Sequence, residues 1–136
     1  MSQQNVDVVR RIYAVWGEEG SPIPSGLLDP DIEWVNAPEA IEPGVRHGVE
    51  AFGDAAESVA ETFHDARVDI DEMLDVGNQV VVLATLRGRG RGSGADVERR
   101  QGYVWTLRDG KATRFQWFNS PEEALTAAGV HCQPRY

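Results

Sequence analysis

The order of periodicities along this chain predicts an α+β fold: two early helices packed on one face of a curved, mostly antiparallel sheet. Three observations carry that expectation. Apolar residues recur at three- and four-residue spacing in two early segments, four strand-like runs with short turn signals follow, and no repeat or linker interrupts the 136 residues. Residues 1–136 are expected to form a single domain, long enough to bury a core without disulfide or metal staples.

The first helix is marked by Val6, Val9, Ile12, Tyr13 and Trp16 and ends at Gly17 and Gly20-Ser21-Pro22. A proline-rich loop leads to a strand over Ile32–Ala37, stopped by Pro38. Residues 38–48 read as irregular, with Pro43-Gly44 as a turn. The stripe Phe52, Ala56, Val59, Ala60 and Phe63 predicts a second helix over Val49–Ala66. Val68, Ile70 and Met73 alternate as a strand with one irregularity, and Gly77-Asn78 turns the chain into the β-branched run "QVVVLATLRGRGRG". "SGAD" is a loop, "QGYVWTLRDGKATRFQWFN" a hairpin, and "SPEEALTAAG" a short helix. Ser120 is its cap, Pro121 sits in its first turn, Glu123 completes a capping box, and Gly129 suits the left-handed C-terminal position.

The hairpin holds five of the chain's eleven aromatic residues around one turn signal, Asp109-Gly110. A two-residue turn pairs Leu107 with Ala112 and splits the rings between both faces. A three-residue loop with Gly110 as a left-handed bulge pairs Leu107 with Lys111, Tyr103 with Phe115, Gln101 with Trp117 and Trp105 with Thr113. That register collects Tyr103, Trp105, Phe115 and Trp117 on one face. A one-residue slip exchanges faces, so the segregating register is the one expected. The aromatic face then lies under the helices and is also polar, since Gln101, Tyr103, Trp105, Trp117 and Asn119 all bring hydrogen-bonding atoms. Trp34 and Asn36 share a face and join them. Stranded buried polar atoms cost about 1–3 kcal/mol each, so this face is either a satisfied internal network or the wall of a wetted cavity.

Composition excludes several classes. A net charge of −9 argues against nucleic acid and anionic membranes. One cysteine, Cys132, forbids an intrachain disulfide, and neither a signal peptide nor a membrane-length apolar run is visible, so a cytoplasmic protein is expected. His131 and Cys132 alone make no metal site, and neither metal nor cofactor is expected. His47 reads as an exposed loop residue and His64 as a cation at the end of the second helix. Arg87, Arg89 and Arg91 share a strand face beside acidic neighbours. Asp69, Asp71 and Glu72 read as the solvent face of an outer strand.

The segments "LLDPDIEWVNAP", "GVEAFGDAAESV", "NQVVVLATLRGRGRGSG" and "GYVWTLRDGKATRFQWFNSPEEALTAAG" resemble SnoaL-like proteins. These belong to the nuclear transport factor 2-like superfamily, which includes ketosteroid isomerase, scytalone dehydratase and limonene epoxide hydrolase. The resemblance implies a cone-shaped, strongly curved sheet packed against N-terminal helices with a pocket between, and a homodimer through the outer sheet face. It does not fix an activity, since the fold hosts unrelated chemistries. The base of ketosteroid isomerase precedes a proline; here Ala37 precedes Pro38, with Asn36 before it, and neither takes a proton. Tyr103 matches the place of its oxyanion-hole aspartate and Tyr13 lies near its helix tyrosine. A histidine found in polyketide-cyclase-like relatives is also replaced by Tyr103. Glu33 alternates with Trp34 and points outward. Arg99 faces the pocket mouth without an evident carboxylate partner.

The best catalytic candidates are therefore Tyr13, Tyr103 and Asn36, and the catalytic set stays unknown. The ligand-binding candidates add Trp16, Phe52 and Phe63 from the helices, Trp34 from the early strand, and Gln101, Trp105, Phe115, Trp117 and Asn119 from the hairpin. Three functions stay open: a cyclase, isomerase or hydrolase acting on a hydrophobic carbonyl or aromatic compound, a non-catalytic module binding a small hydrophobic molecule, and a dimer with a largely filled pocket. The expected reading is a SnoaL-like small-molecule-binding protein of undetermined activity.

Overall fold

The strands join into one six-stranded sheet in the computed structural model, which describes residues 2–16, 25–36, 44–54, 63–90 and 94–130. In chain order the elements are α1 (Ser2–Trp16), a 3-10 turn (Ser25–Leu27), β1 (Leu28–Val35), β2 (Val45–His47), α2 (described over residues 49–54), β3 (Phe63–Val76), β4 (Gln79–Gly90), β5 (Asp96–Arg108), β6 (Lys111–Phe118) and α3 (Pro121–Ala127). The sheet order is β2-β1-β6-β5-β4-β3. Every pairing is antiparallel except β1 with β6, so the fold is the expected α+β with a curled, mostly antiparallel sheet. No helix among the described residues is long and apolar enough to cross a membrane.

The pleat sorts side chains into two clusters. On the inner face, Val6, Val9 and Ile12 of α1 and Phe52 of α2 pack over Trp34, Val80, Val82, Trp105 and Phe115. On the outer face, Ala124 and Leu125 of α3 cover Val81, Leu83, Val104 and Phe118. Ser120 caps α3, its hydroxyl accepting from the Glu123 N–H, and Pro121 occupies the first turn, as expected. Gly129 takes the expected left-handed position at φ 78°.

Several expected boundaries differ. β1 starts at Leu28 rather than Ile32 and stops at Val35, and Ala37 lies outside the described residues. Its register against β6 shifts between Leu28 and Glu33, the stretch holding Pro30, which has no N–H for a ladder. The segment read as irregular contains β2, because Val45–His47 finds a partner in β1 that no local signal announces. The second helix is helical over 49–54, its residues 55–62 lie outside the described residues, and residues 63–66 belong to β3. Phe63 and His64 pair with Gly90 and Arg89 of β4, so neither stands on a helix. Long-range pairing here overrides a helical spacing that runs on into the strand.

The hairpin keeps the expected faces by a different device. Asp109 (φ 53°) and Gly110 (φ 78°) form a two-residue turn of the type I′ kind, with Arg108 opposite Lys111. Leu107 therefore faces Ala112, not Lys111. Thr113 is then an extra residue: the register shifts so that Thr106 faces Arg114, Trp105 faces Phe115 and Tyr103 faces Trp117. The Thr113 hydroxyl donates to the Thr106 carbonyl at 3.1 Å and ties the bulge down. Gln101 thus does not oppose Trp117, nor Trp105 Thr113, yet Tyr103, Trp105, Phe115 and Trp117 share the inner face while Phe118 faces outward.

Gly102 shows how closely α3 rides on the outer face. A Cβ built there would sit 2.4 Å from the Ala124 Cβ and 3.2 Å from the Pro121 Cα. Neither neighbour is a flexible side-chain end. Gly102→Ala is expected to destabilise the protein by about 1–3 kcal/mol, the usual cost of overpacking. Adding Ala124→Gly should make the pair less than additive, as denaturant midpoints of the four proteins in the cycle would show.

Candidate functional site

The inner face is built as rows running across the strands. Backbone pairing sets Trp34, Phe115, Trp105 and Val80 side by side across β1, β6, β5 and β4. The rings of this row interlock: Trp34 to Phe115 and Trp105 to Phe115 are both 4.6 Å between centroids, and Phe52 closes on Trp34 at 5.1 Å. Trp105 and Phe52 are wholly buried, Phe115 and Trp34 nearly so. This row is core.

The next row is polar. Trp117, Tyr103, Val82 and Met73 lie abreast across β6, β5, β4 and β3. Asn36, two residues beyond Trp34, reaches in from the end of β1. Its Oδ1 accepts from the indole N–H of Trp34 at 2.8 Å and of Trp117 at 2.9 Å. The Tyr103 hydroxyl donates to Gln101 Oε1 at 2.7 Å, and the Trp105 indole donates to the Tyr13 hydroxyl oxygen at 3.0 Å. Among the described residues no buried side-chain nitrogen or oxygen lacks a partner. Of the two options raised by the pattern, these groups form a satisfied network.

Both phenols are held neutral. Burial pushes the Tyr13 hydroxyl well above the ordinary phenol value of 10.0, with the nearby Tyr103 adding to the rise and the Trp105 hydrogen bond opposing it. Burial also raises Tyr103. A phenol in this state donates or accepts hydrogen bonds and does not act as an anion near neutral pH.

The structure thus brings together Tyr13, Trp34, Asn36, Phe52, Gln101, Tyr103, Trp105, Phe115 and Trp117, while Asn119 is exposed one step past Phe118. Trp16 lies in α1 and Phe63 in β3, and the side chains of both lie outside the described residues, as does the place of Ala37. Glu33 points outward as expected, 3.9 Å from the exposed His47, which stands on β2 rather than in a loop. The outer face also carries an open groove of about 600 Å³, lined by residues that include Asp29, Asp31, Glu33, Arg108 and Arg114. It is charged and wide, unlike the aromatic wall. No group of three or more His, Cys, Asp or Glu placed to hold a metal ion occurs among the described residues.

Two features escaped the residue pattern. The Tyr13–Trp105 bond joins residues 92 positions apart, and the Asn36–Trp117 bond residues 81 apart. The first depends on how α1 lies across the sheet and the second on β1 entering it parallel to β6, and the chain offers no local signal for either.

A family model described as the SnoaL-like domain matches residues 9–115. The chain belongs to that family. Its fold is that of several solved structures. A candidate SnoaL-like polyketide cyclase from Jannaschia sp. CCS1 is 23% identical, with 98% of this chain and 95% of that one covered, at a TM-score of 0.77. A nuclear transport factor 2-like protein of unknown function from Burkholderia pseudomallei K96243 is 24% identical, covering 90% and 95%, at a TM-score of 0.74. TerC, co-crystallised with polyporic acid, is 24% identical, covering 93% and 99%, at 0.69. None of the curated proteins matches the chain. Within this SnoaL-like protein the Asn36 oxygen already serves two indoles, and Ala37, the residue directly before Pro38, lies outside the described residues.

Two expectations follow for this network. Asn36→Ala strands two indole N–H groups and should cost about 1–3 kcal/mol for each, read from the urea midpoint. The phenols act at alkaline pH. Because their folded pKa values lie above 10, their stabilising effect is complete below about pH 10 and is lost as pH rises further. The unfolded chain then releases protons that the folded chain keeps. Stability should fall by about 1.4 kcal/mol per pH unit per tyrosine. A urea-midpoint series from pH 8 to 11 should show that slope, and Tyr103→Phe should flatten it.

Proposed function

We propose that this SnoaL-like protein binds a small apolar or aromatic molecule against the inner face of its sheet, on the polar row formed by Asn36, Trp117, Tyr103 and Gln101. The observation that supports it most is the convergence of neutral hydrogen-bonding groups on one aromatic face, the composition of small-molecule sites. Trp34, Phe52, Trp105 and Phe115 back this wall as packed core, with Tyr13 bracing Trp105. A neighbour of the same fold, TerC, was crystallised with polyporic acid, and another is described as a candidate polyketide cyclase, which agrees with an aromatic or carbonyl ligand.

The chemistry proposed for this wall is polarisation of a carbonyl, with the Tyr103 hydroxyl turning from Gln101 to the ligand, and not proton abstraction. Tyr103 is a neutral donor and Asn36 cannot titrate, whereas a general base must be a titratable group within hydrogen-bond reach of its proton. Binding, with carbonyl polarisation as the one catalytic contribution of these residues, is therefore the favoured reading. A homodimer, which rests on the family resemblance, and a cytoplasmic location, which rests on the single cysteine, belong to the same proposal.

A thermal-shift screen with steroids, terpenoids, epoxides, aromatic polyketides and fatty acids tests it. Ligand at a hundred times its Kd stabilises by about 2.7 kcal/mol, so a true ligand gives a clear rise in Tm. Tyr103→Phe should keep the fold and weaken a carbonyl ligand by about 1 kcal/mol, roughly fivefold. Unchanged affinity would remove Tyr103 from the site, and no shift with any class would overturn the binding reading.

A further inference from the structure

Arg87 reveals which way its neighbours point. Its guanidinium bonds Asp69 of β3 at 2.7 Å and Glu98 of β5 at 2.6 Å. Thr85 bonds Asp71 at 2.9 Å, and Arg89 faces Asp96 at 3.6 Å. These groups all occupy the outer face. β4 and β5 pair without a bulge, so the alternate residues belong to the inner face: Ala84 opposite Gln101, and Leu86 opposite Arg99. On β3, Ile70 and Val68 lie beside Ala84 and Leu86 on that same face.

The inner face therefore continues past the polar row into a strip of different character. Ala84 and Leu86 are buried, yet Val68 and Ile70 are each 37% exposed, two of the three exposed large hydrophobic residues described. Arg99 is exposed at the end of this strip and makes no ion pair among the described residues. Among the residues whose side chains are described, the nearby acids of β3 and β5 (Asp69, Asp71, Glu72, Asp96 and Glu98) face the other way. Asp75, which register puts on the inner face opposite Val80, stands at the opposite end of the strands. An apolar strip with a lone guanidinium at one end and neutral donors at the other matches an amphipathic anion.

We propose that the ligand is an acid: an apolar or aromatic molecule whose carboxylate pairs with Arg99, whose body lies over the exposed Val68 and Ile70 beside the buried Ala84 and Leu86, and whose far end points towards Gln101 and Tyr103. Arg99 and Tyr103 are four residues apart on β5, about 13 Å at the usual rise per residue. The reach of the arginine side chain shortens that to the length of a two-ring aromatic acid. A guanidinium is suited to a carboxylate because it offers paired donors in one plane. This inference rests on the small-molecule reading above and names the class of molecule.

The test uses matched pairs, each acid against its methyl ester: benzoic, 2-naphthoic, biphenyl-4-carboxylic and dodecanoic acid. Affinities are measured calorimetrically on the full chain, on Arg99→Gln, and on Arg100→Gln, which alters the adjacent outer-face arginine. The expected result is that at least one acid binds about fivefold or more tighter than its ester, a modest preference because Arg99 is exposed to screening solvent. That preference should vanish in Arg99→Gln, persist in Arg100→Gln and shrink in high salt. Equal binding of acid and ester, or a preference that survives Arg99→Gln, would overturn the assignment of an acidic ligand while leaving the binding site in place. If no member of any pair binds, this inference fails, while the binding reading stands or falls with the thermal-shift screen. Unaltered thermal midpoints of the free variants would separate loss of contact from loss of fold.

Discussion

Thr113 is one residue more than the β5 strand can match, and the inner face depends on it. With a two-residue turn at Asp109-Gly110 and no bulge, Tyr103 would lie opposite Gln116 and the rings would divide between the two faces. The bulge shifts β6 by one residue, so Tyr103 meets Trp117 and Trp105 meets Phe115. The same shift turns Phe118 outward, where α3 covers it. Both clusters, and the support for the polar row, follow from that single register change.

Hydrogen bonding makes the aromatic wall compatible with burial. The indoles of Trp34, Trp105 and Trp117 and the Tyr103 hydroxyl each spend their hydrogen on another member of the wall, and the Asn36 oxygen takes two of them. A buried network is stabilising only when complete, because a single missing partner leaves a desolvated donor behind. The wall is thus rigid and neutral, with its rings held at fixed angles to one another. Such a surface favours preorganised contact with a flat or apolar molecule over titration chemistry.

Charge is divided between the faces of the β3–β4–β5 region. Carboxylates and the arginines they engage occupy the outer face, where water screens them and the pairs contribute little each. Among the described residues the inner face carries apolar groups, neutral polar groups and Arg99, with Asp75 at the opposite end of the strands. In a chain of net charge −9 this separation keeps repulsive acids away from the strip that ends at Arg99.

The chain by itself determined the element types, the antiparallel meander, the capped last helix, the outward Glu33 and the gathering of the hairpin rings on one face. These rest on local rules: spacing, turn residues and the two-residue pleat. Tertiary structure alone decided the Thr113 bulge, the short strand Val45–His47, the end of the second helix before Phe63, and the parallel docking of β1 on β6. Each depends on a partner far along the chain, whose pairing outweighs local preference. The candidate site divides the same way. Its residue types were legible because aromatic and amide side chains cluster in sequence, but their bonds were not, since Tyr13 meets Trp105 and Asn36 meets Trp117 only after the sheet has curled and closed.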